Sequence, residues 1–231
     1  MAQLCERVRP RRLEDVVGQP KAVKTIQFIG GGGANGNSIA DGAGGGDPVK
    51  LGGRAFWLAG LSGTGKTTLA RIIGETVADE WSEEIDAGEC TVKAIKDWEA
   101  KLRCKPLGGR GWSLTVNESH GLRKDAVRQF LVTLERLPSY ACVIFTTTNE
   151  GQQSLFDDCI DASPLMSRCT VLQLESKGSA LELAFAVHLR GIADCEGLGG
   201  KPIGDYVQLV RLNKFNLRAC LQAIESGEMI L

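Results

Sequence analysis

The sequence of 231 residues predicts an α/β protein with a mainly parallel sheet flanked by helices and a small helical subdomain at its C-terminal end. Two observations carry this prediction. Short apolar runs bounded by glycine or polar residues, as in buried strands, alternate with helical patterns through the middle of the chain. Such alternation implies right-handed crossovers and a mainly parallel sheet. Beyond it, only amphipathic helical patterns remain, at 179–190 and 216–225.

The composition supports one packed core and excludes several classes of protein. Hydrophobic residues make up 43% of the chain and charged residues 24%, which excludes general disorder. The net charge of -1 excludes a globally basic nucleic-acid coat but allows a local basic patch. No apolar stretch approaches the ~20 residues of a membrane span, and residues 1–12 lack an apolar signal core. We therefore expect a cytoplasmic protein with no membrane partner.

The N-terminal part is divided by a glycine-rich segment. Residues 1–29 are basic and then apolar, end in a short predicted helix at 21–29, and are assigned to the core. In the segment 30–53, 11 of 24 residues are glycine. Ordering so many glycines costs much backbone entropy, which predicts a flexible insertion. The alternative is a loop that orders on a partner.

The predicted core covers 54–175, and the helical lid subdomain covers 176–231. Ala141 to Thr148 (ACVIFTTT) is the clearest strand, and Pro138 ends the helix before it. None of the eight cysteines is spaced as CxxC, so we expect free thiols, several of them in the core. In chain order, strands are predicted at 54–59, 83–87, 112–116, 141–148 and 170–174, and helices at 67–77, 92–102 and 124–137.

A complete GxxxxGK[ST] motif lies between the first strand and its helix. Its glycines allow backbone N–H groups to approach phosphates closely. Lys66 places a charge against the β- and γ-phosphates, and the Thr67 hydroxyl reaches Mg²⁺. The alternative is a glycine-rich turn with an incidental lysine. The motif predicts a P-loop that binds ATP through Gly60, Ser62, Gly63, Thr64, Gly65, Lys66, Thr67 and Thr68.

Polar residues follow two later strands. After the strand at 112–116, Glu118 is a candidate general base that orients and deprotonates the attacking water. Asn117 stands where an Asp is usual, and its oxygen can bind Mg²⁺ indirectly through water without adding charge. The alternative for this pair is an ordinary helix start. After the next strand, Thr148 or Asn149 is a candidate to contact the γ-phosphate or to position water, with turn chemistry as the alternative.

Taken in order, these segments resemble an AAA+ ATPase of the clamp-loader type, of the DNA polymerase III gamma/tau or replication factor C small-subunit kind. The likeness covers most of the chain, and the SRC motif at Ser167–Cys169 is rare outside that group. The segments are Glu6–Pro10 with Leu13–Gln19 (the "RP…VGQ" segment near the adenine), Gly60–Thr67 (Walker A), Glu84–Ala87, Asn117–His120 (a DExH-like Walker B), Thr146–Asn149 (sensor 1), Ser167–Cys169 and Asn216–Arg218 (sensor 2).

The resemblance implies roles for residues outside the P-loop. Arg9, Pro10 and Val17 would line the nucleotide pocket. Arg168 would act in trans as an arginine finger on the ATP of a neighbouring subunit, with a surface arginine or one tied to a carboxylate of this chain as the alternative. Arg218 would reach the γ-phosphate from the lid, with a solvated lid residue as the alternative.

The resemblance also has departures. The family has an Asp where Asn117 stands, and the glycine-rich insertion has no counterpart. The family's helical collar domain does not follow the lid, so we expect a minimal form that depends on partners or DNA to assemble. His120 is interpreted chiefly as a structural residue at a helix start, with a part in the water network as the alternative. His188 is interpreted as a surface or interface residue of the lid.

The expected function is a Mg²⁺-dependent ATP hydrolase that works as a homo- or hetero-oligomer of AAA+ subunits in DNA replication or repair. DNA and a sliding clamp are the expected partners. The basic cluster Arg123, Lys124 and Arg128 is a candidate DNA contact, with a solvated face as the alternative. Two other functions stay open: a nucleotide-binding regulatory or structural subunit with weak hydrolysis, and an AAA+ ATPase with another client such as Holliday-junction DNA.

Overall fold

The computed structural model describes residues 3–31, 51–148 and 162–230. Most of the glycine-rich segment, Asn149 and Cys159 lie outside the described residues. The predicted flexibility of the segment 30–53, and the predicted domain boundaries, therefore stay predictions.

Five parallel strands form one sheet, which confirms the predicted fold class. The spatial order is β2-β3-β4-β1-β5, so the P-loop strand β1 lies between β4 and β5. Each strand end lies within one residue of its prediction because apolar runs bounded by glycine or polar residues mark buried parallel strands locally. The strands are β1 Arg54–Ala59, β2 Ser82–Asp86, β3 Trp112–Asn117, β4 Ala141–Thr147 and β5 Cys169–Gln173.

Helices cover both faces of the sheet and form the lid. The core helices are α1 Leu4–Arg7, α2 Pro20–Ile29, α3 Lys66–Ala78, α4 Val92–Lys101, α5 Lys124–Glu135 and α6 Ala162–Ser167. The lid helices are α7 Ser179–Cys195, α8 Ile203–Leu212 and α9 Leu217–Glu225. Short 3-10 helices lie at Leu13–Asp15, Asp79–Trp81 and Ser119–Gly121.

Alternating residues of β1 supply the two faces of the core. Phe56 and Leu58 pack towards α2 and α3, whereas Trp57 packs towards α4 and α5. The Phe145 ring lies 5.5 Å from Trp57 and 5.0 Å from Phe130 between ring centroids. Each such buried side chain contributes about 1.5–3 kcal/mol, so the sheet is held rigidly from both sides.

The lid has a core of its own. Phe185, Tyr206 and Ile224 are fully buried there, each from a different lid helix. Leu4 of α1 is buried in the same cluster, so the first described residues pack on the lid while Ile26 packs on the sheet. Sequence reasoning missed α8, because Gly204 and the glycine-rich turn before it obscure the start of its apolar pattern.

Two simpler observations concern the described ranges. Their cysteines are free thiols, and Cys90, Cys142 and Cys220 are buried, as predicted. Among the helices in these ranges, none is long and apolar enough to cross a membrane.

Candidate nucleotide-binding site

A cleft opens where the carboxyl end of β1 meets the N-terminal segment and the lid. Its empty space is about 1000 Å³, including the open mouth. Its lining comes from the P-loop with Glu118, from the N-terminal segment and from the lid. The P-loop and Glu118 contribute Ser62, Gly63, Thr64, Gly65, Lys66, Thr67, Thr68 and Glu118, and the largely apolar N-terminal and lid residues are Cys5, Val8, Arg9, Pro10, Val16, Val17, His188, Leu217, Arg218 and Leu221.

The P-loop backbone explains two glycines of the motif. Gly63 has φ +74° and Gly65 has φ +100°, a region that L side chains rarely adopt. Gly65 precedes α3 directly, so the loop leads into a helix N-terminus whose N–H groups and dipole favour an anion. At Gly63 an added Cβ would lie 1.8 Å from Oδ1 of Asn216, so the lid also requires glycine there.

Lys66 is buried and bonded to the loop itself. Its Nζ donates to the carbonyl oxygens of Gly60 at 3.0 Å and Leu61 at 2.8 Å. Burial lowers the pKa of Lys66 from its ordinary value; the Glu118 carboxylate opposes this effect, and the Arg218 guanidinium adds to it. A triphosphate here would add negative charge and favour the protonated amine.

Glu118 and Asn117 take different positions at the end of β3. Glu118 has φ +50°, and its exposed side chain lines the cleft. Nδ1 of His120 lies 3.5 Å from Glu118 Oε2, so the histidine lies beside the candidate base. Asn117 Oδ1 accepts a hydrogen bond from the Thr146 hydroxyl at 3.1 Å.

Sequence reasoning did not single out Thr146 as a partner of Asn117. Period-two alternation along β3 and β4 was an available signal, since neighbouring strands of a parallel sheet place side chains in register. Thr148 follows β4 and is partly buried, and its carbonyl accepts from the Thr147 hydroxyl at 3.1 Å. Asn149 lies outside the described residues, so the choice between the two candidates stays open.

Arg168 lies between α6 and β5 and does not line the cleft of its own chain. Its guanidinium donates to Glu135 Oε1 at 2.7 Å and to the Pro164 carbonyl at 3.0 Å. In the single chain, Arg168 is therefore bound to a carboxylate of the same chain, as one of the two interpretations of the sequence expected. Its contact with a neighbour's nucleotide stays a prediction.

The start of α9 is docked on the P-loop. The Leu217 N–H donates to the Gly63 carbonyl at 3.2 Å. The Asn216 side chain caps the same helix by accepting from the Ala219 N–H at 3.1 Å. Arg218, in the first turn of α9, is exposed and lines the cleft. The structure therefore brings the sensor 2 candidate into the same cleft as Lys66.

His188 lies in the cleft, which corrects its interpretation as a surface or interface residue. It is partly buried on α7, and burial lowers its pKa. The sequence held a signal for this position. His188 follows Leu181 and Phe185 at helical intervals, so it lies on the face of α7 that points inward.

Thr67 lines the cleft next to Lys66, and its hydroxyl is the candidate ligand for a nucleotide-linked Mg²⁺. Within the described ranges, no group of three or more His, Cys, Asp or Glu side chains is arranged to hold a metal ion. Mg²⁺ usually keeps several waters and takes one or two protein ligands together with substrate phosphates, so a sparse site is what its chemistry requires. Thr67 and, through water, Asn117 remain the residues expected to hold it.

The fold matches the predicted AAA+ P-loop fold, and solved structures resemble it over almost the whole chain. The Thermotoga maritima RuvB Holliday junction branch migration motor matches with a TM-score of 0.66 at 19% identity, over 94% of this chain and 64% of that one. A single-residue variant of the same protein matches with a TM-score of 0.67 at 18% identity, over 94% of this chain and 64% of that one. At these identities the likeness shows the fold alone.

Curated relatives lie in DNA replication and confirm the predicted resemblance to clamp-loader-type AAA+ ATPases. The replication factor C small subunit of Halobacterium salinarum is 29% identical over 199 residues, covering 84% of this chain and 53% of that protein. DNA polymerase III subunit tau of Bacillus subtilis is 28% identical over 164 residues, covering 61% of this chain and 26% of that protein. The chain thus spans about half the length of the first relative and a quarter of the second. No family model matches the chain.

Proposed function

We propose that this chain is a Mg²⁺-dependent ATPase subunit of the AAA+ type that acts in a DNA replication or repair assembly. One observation carries the proposal: Lys66, Glu118 and Arg218 line one cleft and interact electrostatically, and the N-terminal segment and the lid add largely apolar residues to the same cleft. A nucleotide needs both kinds of lining, for its charged phosphates and for its flat base.

The P-loop residues bind and neutralise the triphosphate. Lys66 exchanges its bonds with the Gly60 and Leu61 carbonyls for bonds with phosphate oxygens. The N–H groups at the start of α3 add hydrogen bonds directed at the same anion. When bound, Mg²⁺ supplies positive charge that offsets charge developing on the transferring phosphoryl group. Thr67 and, indirectly through water, Asn117 are the side chains that would hold it.

Hydrolysis needs a base and further positive charge. Glu118 accepts the proton of the attacking water, and Arg218 contacts the γ-phosphate from the lid. Arg168 completes the site of a neighbouring subunit in trans, since it does not reach the cleft of its own chain. Turnover therefore depends on assembly into a homo- or hetero-oligomer.

DNA is the proposed activator, with a sliding clamp as a further partner. Arg123, Lys124 and Arg128 lie at the N-terminal end of α5, on exposed positions. Lys and Arg side chains of this kind bind phosphates without regard to sequence. The names of the curated relatives, a replication factor subunit and a DNA polymerase subunit, support a role in replication.

One observation favours a second function, a nucleotide-binding regulatory subunit with weak hydrolysis. Asn117 carries no charge, and its oxygen is already engaged by Thr146. Both features weaken metal binding relative to a carboxylate. The likeness to RuvB shows the fold alone, so it does not favour Holliday-junction DNA as a client.

The test measures Mg-ATP binding and steady-state hydrolysis over a range of protein concentrations, with and without primed DNA. Lys66→Ala is the inactive variant, and Lys24→Ala, at an exposed position of α2, is the matched control. Turnover per chain that rises with concentration or DNA supports composite sites. Tight binding without turnover under any condition supports the regulatory subunit. No binding of ATP contradicts both.

A further inference from the structure

Gln19 is a buried amide that joins three segments of the chain. Its side chain is 2% exposed. Its Nε2 donates to the Glu175 carbonyl at 2.9 Å and to the Thr64 carbonyl of the P-loop at 3.4 Å. Its Oε1 accepts from the Glu175 N–H at 2.7 Å. One side chain therefore holds both backbone groups of Glu175 and also contacts the P-loop.

Glu175 marks the point where the chain leaves the sheet for the lid. The preceding Leu174 still bonds the sheet, since its N–H donates to the Ala59 carbonyl at 2.8 Å. The lid helix α7 begins four residues after Glu175, at Ser179. The direction of this short linker is thus set where Gln19 holds the backbone.

The residue before Gln19 contacts the lid directly. Gly18 has φ +79°, and an added Cβ would lie 2.4 Å from both Leu181 Cδ1 and Phe185 Cε1 of α7. Gly18 therefore contacts the lid, and the next residue, Gln19, contacts the P-loop.

A continuous set of hydrogen bonds connects Gln19 to the phosphate-binding lysine. Lys66 Nζ and the Thr64 hydroxyl both donate to the Leu61 carbonyl, each at 2.8 Å. Phosphate oxygens compete for the same Lys66 protons, so binding changes the bonding of the turn from Leu61 to Thr64. That turn is the part of the P-loop that Gln19 contacts.

We propose that Gln19 is a positioning residue that couples the nucleotide-dependent conformation of the P-loop to the orientation of the lid. The proposal rests on the nucleotide binding proposed above and adds the residue that transmits it. Allosteric coupling of this kind requires an element that both sites bias, and the core–lid linker at Glu175 is that element.

The test compares backbone hydrogen exchange with and without a non-hydrolysable ATP analogue and Mg²⁺. Gln19→Met keeps the apolar volume but removes both hydrogen-bonding groups. Gln19→Glu keeps the acceptor but places a carboxylate oxygen against the Thr64 and Glu175 carbonyls. The readout is the factor by which the analogue slows exchange in residues 179–189, and the affinity of each variant for the analogue is measured as well. Because this factor compares exchange with and without the analogue in the same variant, a uniform loosening of the fold does not change it.

We expect the analogue to slow exchange in both the P-loop and α7 of the unmodified chain. In Gln19→Met it still binds and protects the P-loop, but the slowing in α7 falls by about fivefold or more, the range typical of coupling between two sites. Gln208→Glu, at an exposed position of α8, should behave as the unmodified chain. So should Lys21→Met, which removes only the exposed 3.1 Å ion pair with the Glu175 side chain.

Undiminished slowing in α7 of Gln19→Met overturns the coupling and leaves the proposed function intact. If that variant does not fold, Gln19→Glu is judged by the same ratio. Failure of the unmodified chain to bind the analogue overturns both proposals, because there is then no nucleotide signal to transmit.

Discussion

The hydroxyl of Thr146 donates a hydrogen bond to Oδ1 of Asn117, with 3.1 Å between the two oxygens. The bond joins β4 and β3 near their carboxyl ends, on the same side of the sheet as the P-loop. The Asn117 amide, which is expected to bind Mg²⁺ through water, therefore already has one hydrogen-bond partner.

Asn117→Asp should strengthen metal dependence and turnover. The carboxylate has nearly the same shape, still accepts from Thr146, and adds a negative charge for Mg²⁺. We expect half-maximal turnover at lower Mg²⁺ concentration and an increase in turnover on the order of tenfold, measured by titrating Mg²⁺ at saturating ATP. Thr146→Val, which removes only the hydroxyl donor, is the companion variant. An unchanged Mg²⁺ profile in Asn117→Asp would mean that residue 117 does not serve the metal.

Gly63→Ala should destabilise the lid–P-loop contact more than Gly65→Ala does. Both positions have positive φ, so both variants carry backbone strain. A Cβ at Gly63 meets Asn216 at 1.8 Å, whereas a Cβ at Gly65 meets nothing within 4 Å. We expect Gly63→Ala to lose about 1–3 kcal/mol more unfolding free energy, measured by urea denaturation without nucleotide. Equal losses of unfolding free energy in the two variants would show that Asn216 moves aside for the added methyl group at little cost.

Arg168→Ala should bind ATP normally but hydrolyse it roughly 10³-fold more slowly, because an arginine finger acts only on the transition state. Mixing this variant with Lys66→Ala tests whether it acts in trans. One chain then supplies an intact P-loop and the other an intact Arg168, so a finger acting in trans restores part of the turnover. A mixture as inactive as its parts contradicts action in trans.

Glu135→Gln is the control for the resting contact of Arg168. The pair is solvent-exposed and contributes little to stability. Turnover of the assembled protein should be retained. A loss comparable to that of Arg168→Ala would instead show that Glu135 orients the arginine.

We expect the free energy of unfolding to decrease in mild acid because of His188. Burial lowers its pKa in the folded chain below the ordinary value of 6.5, so the unfolded chain takes up the proton first as pH falls. The free energy of unfolding therefore decreases as pH falls through about 6.5. His188→Gln should flatten this part of the stability–pH curve in chemical denaturation, whereas His120→Gln, whose imidazole lies beside Glu118, serves for comparison. Identical curves for His188→Gln and the unmodified chain would refute this contribution.

Arg123→Gln with Lys124→Gln should weaken DNA binding and its dependence on salt. Each lost phosphate contact lowers the magnitude of the slope of log affinity against log salt by roughly 0.7–0.9. Fluorescence anisotropy with primed DNA at several salt concentrations measures this slope. Lys96→Gln, on the exposed face of α4, should leave the slope unchanged. An unaltered slope in the double variant would place the DNA elsewhere.

Local sequence signals were enough to predict the strands, the P-loop and the polar residues at the strand ends. The strand from Arg54 to Ala59 and the loop through Thr67 are encoded by neighbouring residues: an apolar run, glycines where φ is positive, and a lysine at a set spacing. Such signals survive in a single sequence because burial of a parallel strand and the conformation of a tight loop are decided locally.

The contacts between distant residues could be seen only once the elements were packed together. Gln19 contacts Glu175 across 156 positions of the chain, Asn117 meets Thr146 across 29, and His188 lines the cleft. Periodicity indicates which face of a strand or helix each residue takes, but the partner that it meets depends on how the lid and the strand ends pack after the elements have formed. The chemistry was therefore visible in local motifs, whereas the partners that position it depend on the free energy of packing the whole chain.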